Sequence, residues 1–253
     1  MVVRGTPRDM LRESVAIADE YWAAEFGCAR QHIRPRTPRL QQHAGGLSDY
    51  SGVFILVLDA APLVSVPGAL LSAVAPRADQ FAAEAIRDPE SLRRLLFPGS
   101  VTAVVGPALL NYADHSSFLP APMEGARELT PQDAAAILAL RAACLSEEWE
   151  AKGFSIDSQP TFGAFAPDGA LMALANIRVW ADRIAHLGVV TRPGGRNRGF
   201  GTRAVSAAVR HALGIGLLPQ YRVLEHNVAS RRVAQKLGFQ SYGWTVAARL
   251  APA

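Results

Sequence analysis

The residues whose types and spacing are best suited to chemistry form one short stretch, which reads R-P-G-G-R-N-R-G-F-G over residues 192–201. It follows an apolar, β-branched run at 187–191 and precedes a segment, 202–211, whose apolar residues recur at helical spacing. The pattern predicts a strand, a glycine-rich loop and the start of a helix. Amides in the first helical turn lack intrahelical partners and lie at the positive end of the helix dipole. The stretch therefore predicts a site for a ligand that carries phosphate.

The composition of this loop supports an anion site. Gly199 and Gly201 lack the Cβ atoms that would keep a pyrophosphate away from the backbone amides. The loop is ringed by cationic side chains, namely Arg192, Arg196, Arg198 and Arg203. Two familiar nucleotide-binding strings, Gly-x-Gly-x-x-Gly and the P-loop ending in Gly-Lys-Ser/Thr, are both absent from the loop. The loop alone does not identify the ligand.

Two sequence blocks together resemble a known family. The first is R-x-x-G-x-G at 196–201, with Pro193 three residues before its arginine. The second is Asn227 at the end of a predicted strand, followed by a short helix that ends in L-G-F at 237–239. In this order and at this separation, the blocks resemble the signature of the GNAT superfamily, the acetyl-CoA-dependent N-acetyltransferases.

The resemblance implies a fold and a binding site for coenzyme A. The implied fold is α/β (α+β), with a mixed, mostly antiparallel twisted sheet flanked by helices. In the family, the strand before the glycine loop and the strand after its helix splay apart, and the pantetheine arm threads the gap. The corresponding strands here are 187–191 and 221–226. The implied coenzyme-binding residues are Val189, Val190, Thr191, Arg196, Asn197, Arg198, Gly199, Phe200, Gly201, Thr202, Asn227 and Ser230.

The implied reaction is direct attack of a neutral amine on an acyl thioester, which needs a group that accepts the amine proton. Glu148 and Glu225 are the candidate bases, although each is equally consistent with a solvated or ion-paired carboxylate. We expect their glutamine variants to turn over more slowly, with little change in acetyl-CoA affinity. Ala234 stands where many relatives have a tyrosine that protonates the departing thiolate. Ser230, Tyr242 or water replaces that tyrosine, or the thiolate leaves unassisted.

The histidines and cysteines do not form a ligand set. His186 lies on the predicted strand before the loop, and simple alternation places it on the face opposite Val189 and Thr191, so we expect it to point away. The six histidines are scattered singly, and Cys28 and Cys144 lack metal-ligand spacing. We therefore expect no metal site and no disulfide.

Composition and charge narrow the function classes. The chain has 253 residues and 49% hydrophobic content, and shows neither a signal-peptide pattern nor a membrane-spanning stretch, which predicts a cytoplasmic protein. Residues 1–125 carry 11 Lys and Arg against 13 Asp and Glu, whereas residues 126–253 carry 15 against 9. The positive surplus accompanies the loop, as a coenzyme with several phosphates requires. Nucleic acid is the less favoured partner because lysines and aromatics do not alternate in runs.

Two prolines at 120 and 122 mark the best boundary in the chain. They predict an N-terminal α/β domain at 1–120 and a GNAT-like domain at 121–253. A Thr-Pro-x-Asp helix start in both parts suggests that 1–120 is a degenerate copy of the same fold, although so generic a cap also recurs by chance. In the second domain, the predicted strands are 161–165, 170–180, 184–191, 221–226 and 244–250, and the predicted helices after the loop are 202–211 and 229–237.

These features predict an acyl-CoA-dependent N-acetyltransferase that moves an acetyl group from acetyl-CoA to a primary amine. The acceptor is a small-molecule amine or a peptide amine. The choice between them stays open because no portable sequence code specifies the acceptor. The oligomeric state is equally unspecified. The alternative is a non-catalytic acyl-CoA-binding or regulatory protein, which the missing tyrosine keeps open.

Overall fold

The chain folds into two units in a computed structural model that describes residues 9–96, 101–150 and 160–251. The motif unit, which carries the glycine loop, consists of Met1–Ser14, Asn111–Arg222 and Asn227–Gln240. The second unit consists of Val15–Leu110, Val223–His226 and Ser241–Ala253. The fold is mixed α/β with mostly antiparallel strand pairing and flanking helices, as the sequence predicts.

The α-helices of the described residues are α1 (Arg12–Phe26), α2 (Gly68–Val74), α3 (Ala83–Arg87), α4 (Pro89–Leu95), α5 (Ala134–Ala143), α6 (Ser146–Glu150), α7 (Phe200–Gly214) and α8 (Val228–Lys236). The strands are β1 (Arg39–Gln42), β2 (Val53–Val57), β3 (Pro62–Val66), β4 (Val101–Tyr112), β5 (Ala126–Glu128), β6 (Thr161–Phe165), β7 (Leu171–Trp180), β8 (Ile184–Thr191), β9 (Leu218–Leu224) and β10 (Gln240–Leu250).

The motif unit is built on strands in the order β9-β8-β7-β6-β5. Strands β5 to β8 form an antiparallel meander, and β8 pairs in parallel with β9. The turn between β7 and β8 has positive φ angles of 48° at Ala181 and 54° at Asp182, the hairpin geometry whose twist matches that of the strands. Strands β6 and β8 have the predicted bounds. Strand β9 begins and ends earlier than predicted, and its first residues, 218–220, pair with β8.

Helices cover both faces of this sheet. Helix α7 buries the predicted stripe of small and branched residues, which comprises Ala204, Val205, Ala208 and Val209. On the opposite face, α5 and α6 bury an apolar cluster against the meander, made of Leu129, Ile137, Leu140, Trp149, Leu171, Leu174 and Val190. Successive strand residues point to opposite faces, so Val190 faces α5 while its neighbours on β8 face α7.

The second unit contains strands in the order β1-β3-β2-β10-β4. β1 pairs with β3 in parallel, whereas β2 pairs in antiparallel fashion with β3 and β10. Its core joins residues from these strands to apolar residues of α2, α3 and α4. This mixed sheet is compatible with a degenerate copy of the motif fold, which stays a hypothesis. The domain division at residue 120 also stays a prediction. The position of β10 between β2 and β4 was not predicted from the sequence.

Two further features concern the chain as a whole. None of the described helices is long and apolar enough to cross a membrane. Cys28 and Cys144 are half-buried free thiols, and burial raises the pKa of each.

The start of α5 is held by the carboxylate of Asp133, whose contribution to stability can be tested. Both oxygens of Asp133 accept hydrogen bonds from Arg127, at 2.7 Å each, and Oδ2 also accepts from the Thr130 amide at 2.9 Å in a capping box. These donors, led by Arg127, hold the pKa of Asp133 well below its usual range.

We expect Asp133→Asn to lower the free energy of unfolding at pH 7 by about 1–2 kcal/mol. A depressed pKa means that the carboxylate contributes fully above its unfolded pKa, so the difference from the parent shrinks as pH falls below about 4. Urea unfolding at pH 7 and pH 3 measures this. Glu128→Gln, an exposed neighbour, is the matched control, and equal stabilities of parent and Asp133→Asn at pH 7 would contradict the assignment.

Candidate active site

The glycine loop joins β8 to α7 through a backbone that only certain residues adopt. Pro193–Gly195 forms one 3-10 turn, and the following Asn197 and Gly199 have left-handed φ angles of 61° and 85°. Glycine adopts this conformation without steric cost, and asparagine is among the residues that tolerate it. Gly199 is the N-cap of α7, so no side chain at the cap position occupies the first-turn amides. The local sequence therefore leaves these amides for an anion.

The glycines of the loop have two different roles. A Cβ built on Gly194 or Gly199 would have no atom within 4 Å, so the space beside both residues is open. A Cβ on Gly201 would lie 2.8 Å from Oγ1 of Thr191 and 3.8 Å from Cγ2 of Val189. Gly199 thus fits the cradle expected from the sequence, whereas Gly201 allows α7 to pack closely on β8.

Among three of the loop arginines, one pairs with a carboxylate and two donate to backbone carbonyls. Arg196 donates from Nη2 to both carboxylate oxygens of Glu148, at 2.8 Å each, in a pair that is about half-exposed. Arg198 donates to the carbonyl of Gly194 at 3.3 Å, and Arg203 donates to the carbonyl of Glu124 at 2.7 Å. Carbonyl oxygens leave the charge of a guanidinium uncompensated, so the loop stays electropositive.

The Arg198 and Arg203 guanidinium groups also lie over the ring of Phe200, at 5.4 and 4.5 Å from its centroid. Phe200 is itself buried and begins α7. The ring therefore holds two cations beside the first-turn amides. This cation–π arrangement explains why an aromatic residue lies between the two motif glycines.

Strands β8 and β9 separate beside this loop. Their register consists of Ile184↔Leu218, Ala185↔Pro219 and His186↔Gln220. Both strands continue beyond the third pair, and β8 stays paired with β7 to its end at Thr191. In the described residues, the β9-facing edge of 187–191 thus has no registered partner strand. This is the separation that the sequence resemblance implied, and Val189, Val190 and Thr191 lie along it.

The start of α8 carries a second set of polar groups. Asn227 caps the helix, since its Oδ1 accepts from the Ser230 amide at 3.0 Å. The Ser230 hydroxyl lies 2.8 Å from the hydroxyl of Tyr221, which is fully buried on β9. Burial raises the pKa of Tyr221 to about 12, against a smaller lowering by Ser230. Tyr221 therefore remains neutral and orients Ser230.

The position of the usual family tyrosine is apolar here. Ala234 is buried one helical turn after Ser230, on the same side of α8. Tyr242, the other substitute considered from the sequence, belongs to the second unit, where its hydroxyl donates to Asp19 at 2.6 Å.

Both candidate bases are ion-paired with arginine. Glu148 belongs to the motif unit and pairs with Arg196 as described above. Glu225 belongs to the second unit, where its Oε1 accepts from Arg87 at 2.6 Å, and Arg87 lies over the Trp244 ring at 4.5 Å. Their assignment as bases stays a prediction.

Several polar residues near the separating strands were not predicted from the sequence. Tyr221, Gln220 and Tyr112 are all buried. The one signal available in the sequence is that Gln220 is a polar residue within an otherwise apolar strand pattern. His186 lies, as predicted, on the face opposite Val189, and its ring is 3.2 Å from the Gln220 side chain.

Comparison with known proteins gives this site its context. Residues 134–239 match the model of the Acetyltransferase (GNAT) family. A GNAT-family acetyltransferase from Colwellia psychrerythraea is 14% identical, with a TM-score of 0.53 over 97% of this chain and 99% of that chain. A GNAT-family protein from Novosphingobium aromaticivorans DSM 12444 is 26% identical, with a TM-score of 0.48 over 62% of this chain and 69% of that chain. No curated protein matches the chain.

The close packing at Gly201 can be tested by adding a Cβ there and then removing the side-chain oxygen that the Cβ would meet. We expect Gly201→Ala to lower the free energy of unfolding by about 1–2 kcal/mol, because its Cβ meets Thr191 Oγ1. Adding Thr191→Ala removes that oxygen and should restore most of the loss. Gly194→Ala, with open space at its Cβ, is the control and should change stability little. Thermal unfolding measures all four proteins, and a neutral Gly201→Ala would contradict the close packing.

Proposed function

We propose that the protein is an acyl-CoA-dependent N-acetyltransferase, because residues 134–239 match the model of the Acetyltransferase (GNAT) family. In this proposal it transfers an acetyl group from acetyl-CoA to a primary amine by direct attack. The observation that carries the proposal is the junction of β8 and α7. There, an open left-handed glycine, uncapped helix amides and three arginines adjoin an unpaired strand edge.

The binding of coenzyme A follows from the chemistry of this junction. The amides of residues 198–202 and the side chains of Arg196 and Arg198 would hold the pyrophosphate, since both are donors suited to phosphate oxygens. The backbone of Val189, Val190 and Thr191 would pair with the pantetheine amides as an added strand. Asn227 and Ser230 would lie beside the same arm. An amide of β8 would polarise the thioester carbonyl as an oxyanion donor.

The chemical step requires little more than orientation and proton transfer. The amine nitrogen attacks the thioester carbon, the carbon–sulfur bond breaks, and coenzyme A leaves as a thiol after gaining a proton. Glu148 and Glu225 are the candidate bases from the sequence. Ser230, whose hydroxyl lies 2.8 Å from that of Tyr221, is the candidate we favour to stabilise the departing sulfur, because Ala234 has no polar group.

A non-catalytic acyl-CoA-binding or regulatory role is the second candidate. It is favoured by Ala234 at the tyrosine position and by the ion pairing of both glutamates. Release of free thiol from acetyl-CoA in the presence of primary amines separates the two roles. The acceptor in the first case is a small-molecule or peptide amine.

We expect acetyl-CoA to bind with micromolar affinity in calorimetric titration, and the double variant Arg198→Glu, Gly199→Asp to abolish it. A micromolar dissociation constant corresponds to about 8 kcal/mol of binding free energy. Arg210→Glu makes the same charge change as Arg198→Glu alone, at an exposed position near the other end of α7, so it should bind as the parent does. Absence of binding by the parent would refute the proposed function.

The ion pair of Arg196 predicts an unusual effect of removing an acidic residue. Glu148 competes with phosphate for Arg196, so Glu148→Gln should tighten acetyl-CoA binding, by at most about fivefold for an exposed pair. This revises the expectation of unchanged affinity. Glu147→Gln, on the same short helix and exposed, is the control. Weaker binding in Glu148→Gln would show that Glu148 supports the coenzyme site instead.

A further inference from the structure

Arg203 is the cationic residue in the first turn of α7, and two contacts fix the position of its guanidinium group. Nη1 donates to the backbone carbonyl of Glu124 at 2.7 Å. The guanidinium carbon lies 4.5 Å from the centroid of the Phe200 ring, which is buried. Glu124 comes shortly before β5, so Arg203 connects the start of α7 to the β5 side of the motif unit. These contacts hold the cation in one place.

The helix geometry places this guanidinium beside the open space at Gly199. The amide of Arg203 donates to the Gly199 carbonyl at 3.0 Å, one helical turn earlier, so both residues lie on the same side of α7. Helical side chains lean toward the N-terminus and cover the preceding turn. The Cβ position of Gly199 has no atom within 4 Å. The Arg203 side chain thus reaches the edge of the cradle without filling it.

The charge of Arg203 is not neutralised by the groups that hold it. A guanidinium has five N–H donors, and the acceptor of Arg203 within the described part of the chain is the Glu124 carbonyl. Neither that carbonyl nor the Phe200 ring carries a net charge. Arg196, in contrast, pairs with the carboxylate of Glu148. Arg203 therefore suits an anion that comes in addition to the one on the loop amides.

Coenzyme A carries a second anionic group that the loop amides do not hold. Its pyrophosphate joins the pantetheine arm to adenosine, and a separate phosphate monoester lies on the 3′-oxygen of the same ribose. A phosphate monoester has a charge of about −1.5 to −2 at pH 7 and three strong acceptor oxygens. In the proposed site, the pyrophosphate lies on the loop amides with Arg196 and Arg198. The 3′-phosphate then needs a further cation beside that cradle.

The direction of the bound coenzyme favours Arg203 over Arg192 as this cation. The pantetheine arm and the ribose leave the pyrophosphate at its two ends, and the arm would follow β8. Arg192 comes directly after β8 and acts electrostatically on Cys144, which follows α5, so it lies on the side of the arm. Arg203 is tied to the segment before β5, the strand farthest from β9 in the motif unit. A ribose that points away from the gap between β8 and β9 therefore meets Arg203.

We propose that Arg203 binds the 3′-phosphate and makes the site specific for coenzyme A over its 3′-dephospho form; this rests on the proposed function. The planar fork of a guanidinium matches two oxygens of one phosphate group. Because the Phe200 ring and the Glu124 carbonyl already orient the fork, little side-chain freedom is lost when the phosphate binds. Arg203 determines specificity in this assignment and takes no part in acyl transfer.

The test compares two coenzymes in calorimetric titrations of the full chain at low ionic strength, where a partly exposed ion pair is least screened. We expect the parent to bind coenzyme A about tenfold more tightly than 3′-dephospho-coenzyme A. Arg203→Met removes the charge, so its affinity for coenzyme A should fall about tenfold, while its affinity for the dephospho form stays within about twofold of the parent. Arg210→Met, at an exposed position of the same helix, is the control and should keep both parent affinities.

A second variant keeps the test decisive if Arg203→Met folds poorly. Arg203→Lys retains the charge but lacks the planar fork, so it should reduce the preference for coenzyme A to about threefold. An unchanged preference in Arg203→Lys would overturn the assignment.

The other results separate this assignment from the proposed function. Equal affinities of the parent for the two coenzymes would overturn the specificity and leave the proposed function intact. Equal weakening of both coenzymes in Arg203→Met would make Arg203 a support of the loop, and a tenfold preference that survives this substitution would belong to another residue; either result overturns the assignment. A parent that binds neither coenzyme would refute the proposed function, and this assignment with it.

Discussion

The close approach of α7 to β8 is the constraint on which the rest of the site depends. It requires a residue without Cβ at Gly201, because the Thr191 hydroxyl occupies that space. The left-handed turn at Gly199 then begins α7 at the end of the loop that follows β8. Since β8 stays paired with β7 while it parts from β9, one strand edge and one helix end meet at the same point. A larger residue at position 201 would move the helix and separate these two groups of donors.

Local signals in the sequence were sufficient for the elements of the motif unit. The strand before the loop, the amphipathic α7 and the Asn227 cap were predictable because each depends on residues a few positions apart. The contacts that set the chemistry were not. Arg196 and Glu148 are 48 positions apart, and Gln220 and Tyr112 are 108 apart. No periodicity relates such residues, so only the tertiary structure reveals that both glutamates have arginine partners.

The polar groups around the separating strands differ in how tightly they are held. The Arg196–Glu148 pair is about half-exposed, so solvent screens it and a competing anion can displace it at small cost. The Tyr112–Gln220 pair is fully buried, where an unsatisfied partner costs more free energy. The structure thus combines an exchangeable ion pair at the glycine loop with a rigid hydrogen-bonded chain at the closed end of the gap. That distribution suits a site that must bind and release a charged ligand without disturbing the paired ends of its strands.

The place of β10 in the second unit has a consequence for biosynthesis. This strand comes after every other described strand, yet it pairs with β2, and it lies between β2 and β4 in strand order. During translation, β2 and β4 therefore leave the ribosome long before the strand that separates them, and their sheet stays incomplete until the last strand emerges. The motif unit ends its described elements earlier, at α8. Vectorial synthesis thus delivers the glycine loop and its helix before the N-terminal sheet closes, which inverts the order expected from sequence position.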